Sequence, residues 1–121
     1  MNRDEPDNPA RPPSGQRLCA LADLADPGAK GFRFRNDRAL FAGFVVRQGD
    51  GVAGYVDSCP HNGWPLAVMD DRYLTRDARH IFCAGHGALF SLEGRCVAGP
   101  CEGDHLAAWT VEVREGEVWT V

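Results

Sequence analysis

No stretch of this 121-residue chain stays apolar over the length that a bilayer-crossing helix requires. The first residues, Met1 to Gln16, also lack the apolar core of a secretory signal, being polar and proline-rich. Together these absences lead us to expect a cytoplasmic protein with no membrane association. Positive charge is in short supply. With 13 Lys and Arg against 17 Asp and Glu, the net charge is −4, which argues against a broad nucleic-acid-binding surface. Sustained helical periodicity is missing, and so are internal repeats. The cysteine count of five is odd, so a complete disulfide framework is excluded. In a reducing compartment Cys19, Cys59, Cys83, Cys96 and Cys101 should be mainly thiols, some of them metal ligands. What remains is ordinary for one globular domain with one core: 44% hydrophobic and 25% charged residues.

The pattern along the chain is that of short β-strands. Residues 1–16, with Pro6, Pro9, Pro12 and Pro13 in the first part, read as a flexible tail, because they hold too little apolar surface to offset the entropy of ordering. Arg17 to Leu21 is a short apolar run, and Cys19 within it is expected to be a small buried hydrophobe. Ala22 to Gly31 contains Pro27 and two glycines and reads as a loop with at most one helical turn. Phe32 and Phe34 alternate with Arg33 and Arg35, as on a half-buried strand. Ala39 to Arg47 is a longer apolar strand, Gln48-Gly49-Asp50-Gly51 has hairpin-turn chemistry, and Val52 to Val56 returns as its partner. Trp109 to Arg114 and Glu117 to Val121 flank Glu115-Gly116, a second hairpin signal. Between these hairpins lies Asp57 to Gly103, rich in Gly and Pro and holding four of the five cysteines. A long loop-rich insertion in a small β domain is where function is expected.

Two short pairs stand within that insertion: Cys59-Pro60-His61 and Cys83-Ala84-Gly85-His86, with 21 residues between His61 and Cys83. Each pair joins one thiolate former to one imidazole. One tetrahedral zinc could take two Cys and two His, but common fingers group Cys with Cys and His with His. A Cys and a His one residue apart chelate a single ion awkwardly and reach two adjacent ions more easily. A dinuclear cluster with two Cys on one iron and two His on the other sets that requirement. The alternatives are a mononuclear zinc site in an interaction module, or two buried cysteines and two surface histidines with no metal.

With these residues in view, the sequence resembles the Rieske iron–sulfur family. The matching stretches are Cys59-Pro-His-Asn-Gly-Trp-Pro-Leu66 and Cys83-Ala-Gly-His-Gly-Ala-Leu-Phe90. The run Gly94 to Gly103, with Gly99-Pro100, is similar to the family's third loop, which shields the cluster. The resemblance covers roughly residues 17 to 121 and implies an all-β fold. An antiparallel sandwich or barrel-like base would carry a small rubredoxin-like cluster-binding insertion, about 57–103. It implies one [2Fe–2S] cluster, with Cys59 and Cys83 on one iron and His61 and His86 on the other through Nδ1. Charge would run from zero to −1 on reduction, and solvent-facing imidazoles would couple the potential to pH.

Quinol-oxidising members of the family bridge their two loops with a disulfide, whose positions correspond to Trp64 and Gly85 here, so that bridge cannot form. They also place a Ser and a Tyr hydroxyl near the cluster sulfurs, where this chain has Ala88 and Phe90. Hydrogen bonds to sulfur raise the potential, so their loss predicts a value of roughly −150 mV, the low end for Rieske centres. The implied function is that of a Rieske-type ferredoxin, passing single electrons from a reductase to a terminal oxygenase or similar acceptor, and not an enzyme by itself. An alternative is the small subunit of a larger oxidoreductase such as a nitrite reductase. Cys96 and Cys101 are expected as unligated thiols, His80 and His105 as surface or locally bonded residues, and Leu66 and Phe90 as apolar shielding or core. Asp70-Asp71 and Glu102-Gly103-Asp104 read as a solvated face, with docking of a basic partner as the functional alternative.

Overall fold

A computed structural model describes residues 8–60, 65–67, 71–85 and 87–121. It is all-β and antiparallel, with one short 3-10 turn at Leu21–Asp23. Among the described residues nine strands run in chain order: β1 (Arg17–Ala20), β2 (Gly28–Asn36), β3 (Ala39–Gln48), β4 (Gly51–Val56), β5 (Ile81–Phe82), β6 (Leu89–Phe90), β7 (Cys96–Ala98), β8 (Val111–Arg114) and β9 (Glu117–Thr120). They form three three-stranded sheets, ordered β1-β9-β8, β2-β3-β4 and β5-β6-β7. No helix among the described residues is long and apolar enough to cross a membrane.

Turn chemistry sets the local pairing. The β3–β4 hairpin closes on Gln48 opposite Gly51, with Gly49 at φ 62, a first central position that suits glycine in a two-residue turn. The β8–β9 hairpin closes on Arg114 opposite Glu117, with Glu115 at φ 52 and Gly116 at φ 74. Strand β2 begins at Gly28 and not after Gly31, because its register with β3 continues to Gly28 opposite Arg47. The expected loop Ala22 to Gly31 therefore ends earlier than its composition suggests.

Strand β3 divides the molecule into two cores. A strand's side chains alternate between the faces of its sheet. On one face Phe41 and Val45 pack with Val56, Trp109 and Val118, joining the central sheet to β1-β9-β8. On the other face Phe44 and Val46 pack with Tyr55, Tyr73, Ile81 and Phe90, joining it to the β5–β7 region. All four β3 side chains are essentially inaccessible. Trp109 meets Phe32, Phe34 and Phe41 edge-on, with ring centroids 6.0, 6.2 and 5.2 Å away. Its ring lies so close to Gly43 that a Cβ there would approach it to 2.4 Å.

Within the segment 1–16, expected as a flexible tail, the described residues have partners on the strands. Asn8 donates from Nδ2 to the Leu40 carbonyl, and Ala10 is buried in the core with Phe41 and Trp109. Gly15 donates its N–H to the Thr120 carbonyl, while the Thr120 hydroxyl donates to the Pro13 carbonyl. Composition suggests disorder here, but Ala10 and the backbone groups find partners on strands distant in sequence.

Candidate metal centre

The first cysteine loop leaves the end of β4. There the backbone is pinned by Val56 N–H donating to Ala107 and Asp57 N–H donating to Ala42, each at 2.9 Å. Cys59 follows, buried at 1% exposure. The second loop leaves β5 at Cys83, which is fully buried. Cys83 N–H donates to the Ala88 carbonyl and Gly87 N–H to the Cys83 carbonyl, both at 2.9 Å, so the loop closes as a tight turn. Gly87 sits in this turn at φ 72. The two loops are tied directly, since Ala84 N–H donates to the Leu66 carbonyl at 2.8 Å. Cys59 and Cys83 share one apolar cluster with Leu66, Ala88 and Phe90, all three fully buried.

The candidates divide by where the structure places them. Cys59 and Cys83 are brought into this common core. His61 and His86 lie outside the described residues, as do Trp64 and Asp70. Among the described residues no group of three or more His, Cys, Asp or Glu is arranged around a metal position. The described part of the donor set is the pair of thiols. Two buried cysteines that descend from separate loops into an apolar pocket fit the thiolate side of a dinuclear cluster, which needs sulfur donors and shelter from water. His80 is half-buried, with its backbone tied to Thr75, and His105 is exposed in a bridge to Arg95.

A buried carboxylate unnoticed in the sequence organises the first loop. Asp57 is 1% exposed. Its Oδ1 accepts the Leu66 N–H at 2.7 Å and its Oδ2 accepts the Tyr73 hydroxyl at 2.9 Å. Asp57 thus bridges the start of the cysteine loop, its far end and the segment leading to β5. Tyr73 in turn stacks on Phe44 with centroids 4.2 Å apart. Burial, followed by the Asp57 charge and hydrogen bond, pushes the Tyr73 hydroxyl well above the ordinary tyrosine range. An aspartate beside a loop reads from sequence as solvated, and no local signal distinguishes this one.

The third loop lies on the second. Gly99, at φ 100, is so near Ala88 that a Cβ there would come within 2.8 Å of the Ala88 Cα. Leu89 pairs with Ala98 and Phe90 with Cys96, so β7 carries this loop as a flap hydrogen-bonded to β6. Both tyrosine hydroxyls are committed away from the cysteine sulfurs: Tyr55 donates to the Leu92 carbonyl at 2.7 Å and Tyr73 to Asp57. Cys96 and Cys101 are buried and not joined by a disulfide, with their sulfurs 2.6 Å apart. Burial, with the Cys96 sulfur as hydrogen-bond acceptor and neighbour, pushes the Cys101 thiol up to about 12. On the surface, Asp71 accepts the Gly31 N–H, while Glu102 and Asp104 are exposed.

The fold and site thus define a small all-β protein with two cysteine loops meeting in one sheltered core. A family model for the Rieske [2Fe-2S] domain matches residues 15–114, and the chain belongs to that family. Its cofactor is accordingly one Rieske-type [2Fe–2S] cluster. Solved structures agree. The chain is 28% identical to one from the complex of reduced oxygenase and oxidized ferredoxin in carbazole 1,9a-dioxygenase, with 87% of this chain and 90% of that chain covered and a TM-score of 0.65. It is similar in fold to the ferredoxin of carbazole 1,9a-dioxygenase from Nocardioides aromaticivorans IC177 (24% identity, 90% and 98% covered, TM-score 0.66). It is also similar in fold to a Sphingomonas yanoikuyae B1 ferredoxin (23% identity, 88% and 96% covered, TM-score 0.62). No curated protein matches the sequence.

Proposed function

We propose that this chain is a Rieske-type ferredoxin, a one-electron carrier between a reductase and a terminal oxygenase or similar acceptor, working in the cytoplasm. The observation that carries this reading is the convergence of Cys59 and Cys83, from two hydrogen-bonded loops, in one apolar core of a Rieske-family chain. Cys59 and Cys83 would hold one iron, and His61 and His86 the other. The cluster, when bound, takes up and returns a single electron. The chain's own residues supply shelter and rigidity. Leu66, Ala88 and Phe90 exclude water from the thiolates. Asp57 and the Ala84–Leu66 hydrogen bond hold the two loops in register, so that little need move when charge arrives.

In this reading residues 17–121 are the electron-carrying unit, residues 57–103 bear the cluster, and residues 1–16 precede it. With no hydroxyl on Ala88 or Phe90 to hydrogen-bond the sulfurs, the potential lies at roughly −150 mV. The assignment of oxygenase as acceptor class is supported by the likeness to a chain from an oxygenase–ferredoxin complex. The test is anaerobic purification followed by iron and sulfide analysis, absorbance and EPR. The expected protein is red-brown, holds iron and inorganic sulfide in equal amounts, and gives a rhombic EPR signal on reduction. His61→Ala and His86→Ala should each abolish that signal. A colourless zinc protein, or a spectrum untouched by either substitution, refutes the assignment.

A further inference from the structure

We propose that Cys96 and Cys101 are an oxidisable thiol pair which closes into a disulfide within the flap that covers the second cysteine loop. Backbone pairing places them together. Cys96 N–H donates to the Asp104 carbonyl at 2.7 Å, and Gly103 N–H donates back to the Cys96 carbonyl at 3.0 Å. The chain has therefore reversed between Cys96 and Gly103, and Asp104 N–H, donating to the Cys101 carbonyl at 2.8 Å, closes the turn that carries Cys101. Gly99 at φ 100 and Gly103 at φ 94 supply the backbone freedom this reversal needs. The outcome is a sulfur–sulfur separation of 2.6 Å between residues five positions apart. From that contact only a small shift brings the two sulfurs to bonding distance. Neither cysteine belongs to the two motifs that match the Rieske loops, so both thiols are spare.

Cys96 and Cys101 are 1% and 2% exposed, so the exchange requires the flap to open at the surface beside Cys96. A surface groove of about 640 Å³ is lined by Arg95, Cys96, Val97, Glu102 and Gly103. Val97, beside Cys96, is 43% exposed. The groove has room for a low-molecular-weight disulfide, and Arg95 offers a cation to a carboxylate on it. In the exchange, the Cys96 sulfur attacks one sulfur of that small disulfide. The small molecule's S–S bond breaks, and its first half leaves as a thiol. The Cys101 sulfur then attacks the mixed disulfide and releases the second half as a thiol. The chain loses two hydrogens and is oxidised by two electrons, while the small disulfide is reduced to two thiols.

The flap rests on Ala88 through Gly99, between the two ends of the bond, so closure would fasten the cover of the second cysteine loop. The experiment treats the intact, cluster-loaded protein with oxidised glutathione under anaerobic conditions. Remaining thiols are then trapped by alkylation in denaturant, and the digested peptides are mapped by mass. Iron and sulfide are quantified in the same samples. The expected result is a peptide linked through Cys96 and Cys101, two fewer alkylated sulfurs, unchanged iron and sulfide, and full recovery of both thiols with dithiothreitol. Cys96→Ser should abolish the link, leave Cys101 as a free thiol or a glutathione adduct, and keep the cluster. The proposal is overturned if wild-type protein retains both thiols, if it stops at glutathione adducts, or if either cysteine links to Cys59 or Cys83. Loss of the cluster from a folded Cys96→Ser or Cys101→Ser protein overturns it as well, since the sulfurs would then be ligands.

Discussion

Asp57, through its two carboxylate oxygens, ties the start of the first cysteine loop to Leu66 and Tyr73. A buried acceptor that loses its donor costs about 1–3 kcal/mol, more when it is charged. Tyr73→Phe removes one donor and leaves Asp57 Oδ2 without it, so a loss of about 2 kcal/mol in urea unfolding is expected. Asp57→Ala strands both the Leu66 N–H and the Tyr73 hydroxyl and should cost more, with faster bleaching of the visible spectrum as its second sign. The tyrosines also carry a pH prediction. Burial pushes the Tyr55 hydroxyl up to about 12 from an ordinary 10.0, and Tyr73 moves the same way. The folded chain holds these protons after the unfolded chain has lost them. Stability is therefore intact below pH 10 and falls as pH rises toward about 12. Ultraviolet titration should show tyrosinate in urea-unfolded protein near pH 10, and almost none in the folded protein until about pH 12. At Ala88 and Phe90, restoring a hydroxyl should raise the midpoint potential. A hydrogen bond to charged sulfur worth about 1.4 kcal/mol corresponds to about 60 mV for one electron. Protein-film voltammetry of Ala88→Ser and Phe90→Tyr measures this.

Among the elements, the flap formed by β7 and the turn after it depends on Gly99. A side chain there meets two penalties at once, a strained backbone at φ 100 and a contact of 2.8 Å with the Ala88 Cα. Gly99→Ala should cost on the order of 2 kcal/mol and lift the flap, read as an increased rate of cluster loss to a chelator. Strand β3 shows the opposite economy, since its two faces serve two cores. The pattern Phe41, Val45 against Phe44, Val46 is an alternation in which both alternating sets are apolar. That explains why the segment reads as a continuous apolar run and not as a half-polar strand.

For the whole molecule, the three sheets are unequal. The β2-β3-β4 sheet has strands of 9, 10 and 6 residues, whereas β5, β6 and β7 have 2, 2 and 3. Strands that short hold few ladder bonds, so the region carrying the cysteine loops relies on its buried side chains and its bound cluster. Removing iron should therefore loosen residues 81–98 while 28–56 stay protected, measurable as amide hydrogen exchange before and after chelation. Uniform loss of protection across both regions would show a single cooperative unit instead.

The sequence by itself determined the features whose physics is local. Gly49-Asp50 and Glu115-Gly116 encode their turns through backbone freedom, and alternation over Phe32 to Arg35 encodes a half-buried strand. The Cys-x-His and Cys-x-x-His pairs are legible as spaced thiol and imidazole donors, and both lie within the residues that the Rieske family model matches. Tertiary structure decided everything that depends on partners far along the chain. It buried Asp57, a residue type that sequence assigns to solvent, because the Leu66 N–H and Tyr73 hydroxyl arrive from 9 and 16 residues away. It docked residues 8–16 on Leu40 and Thr120, and it turned β3 into a wall between two cores. It also set the Cys96 and Cys101 sulfurs face to face, since only the folded reversal through Gly99 and Gly103 converts five residues of separation into contact.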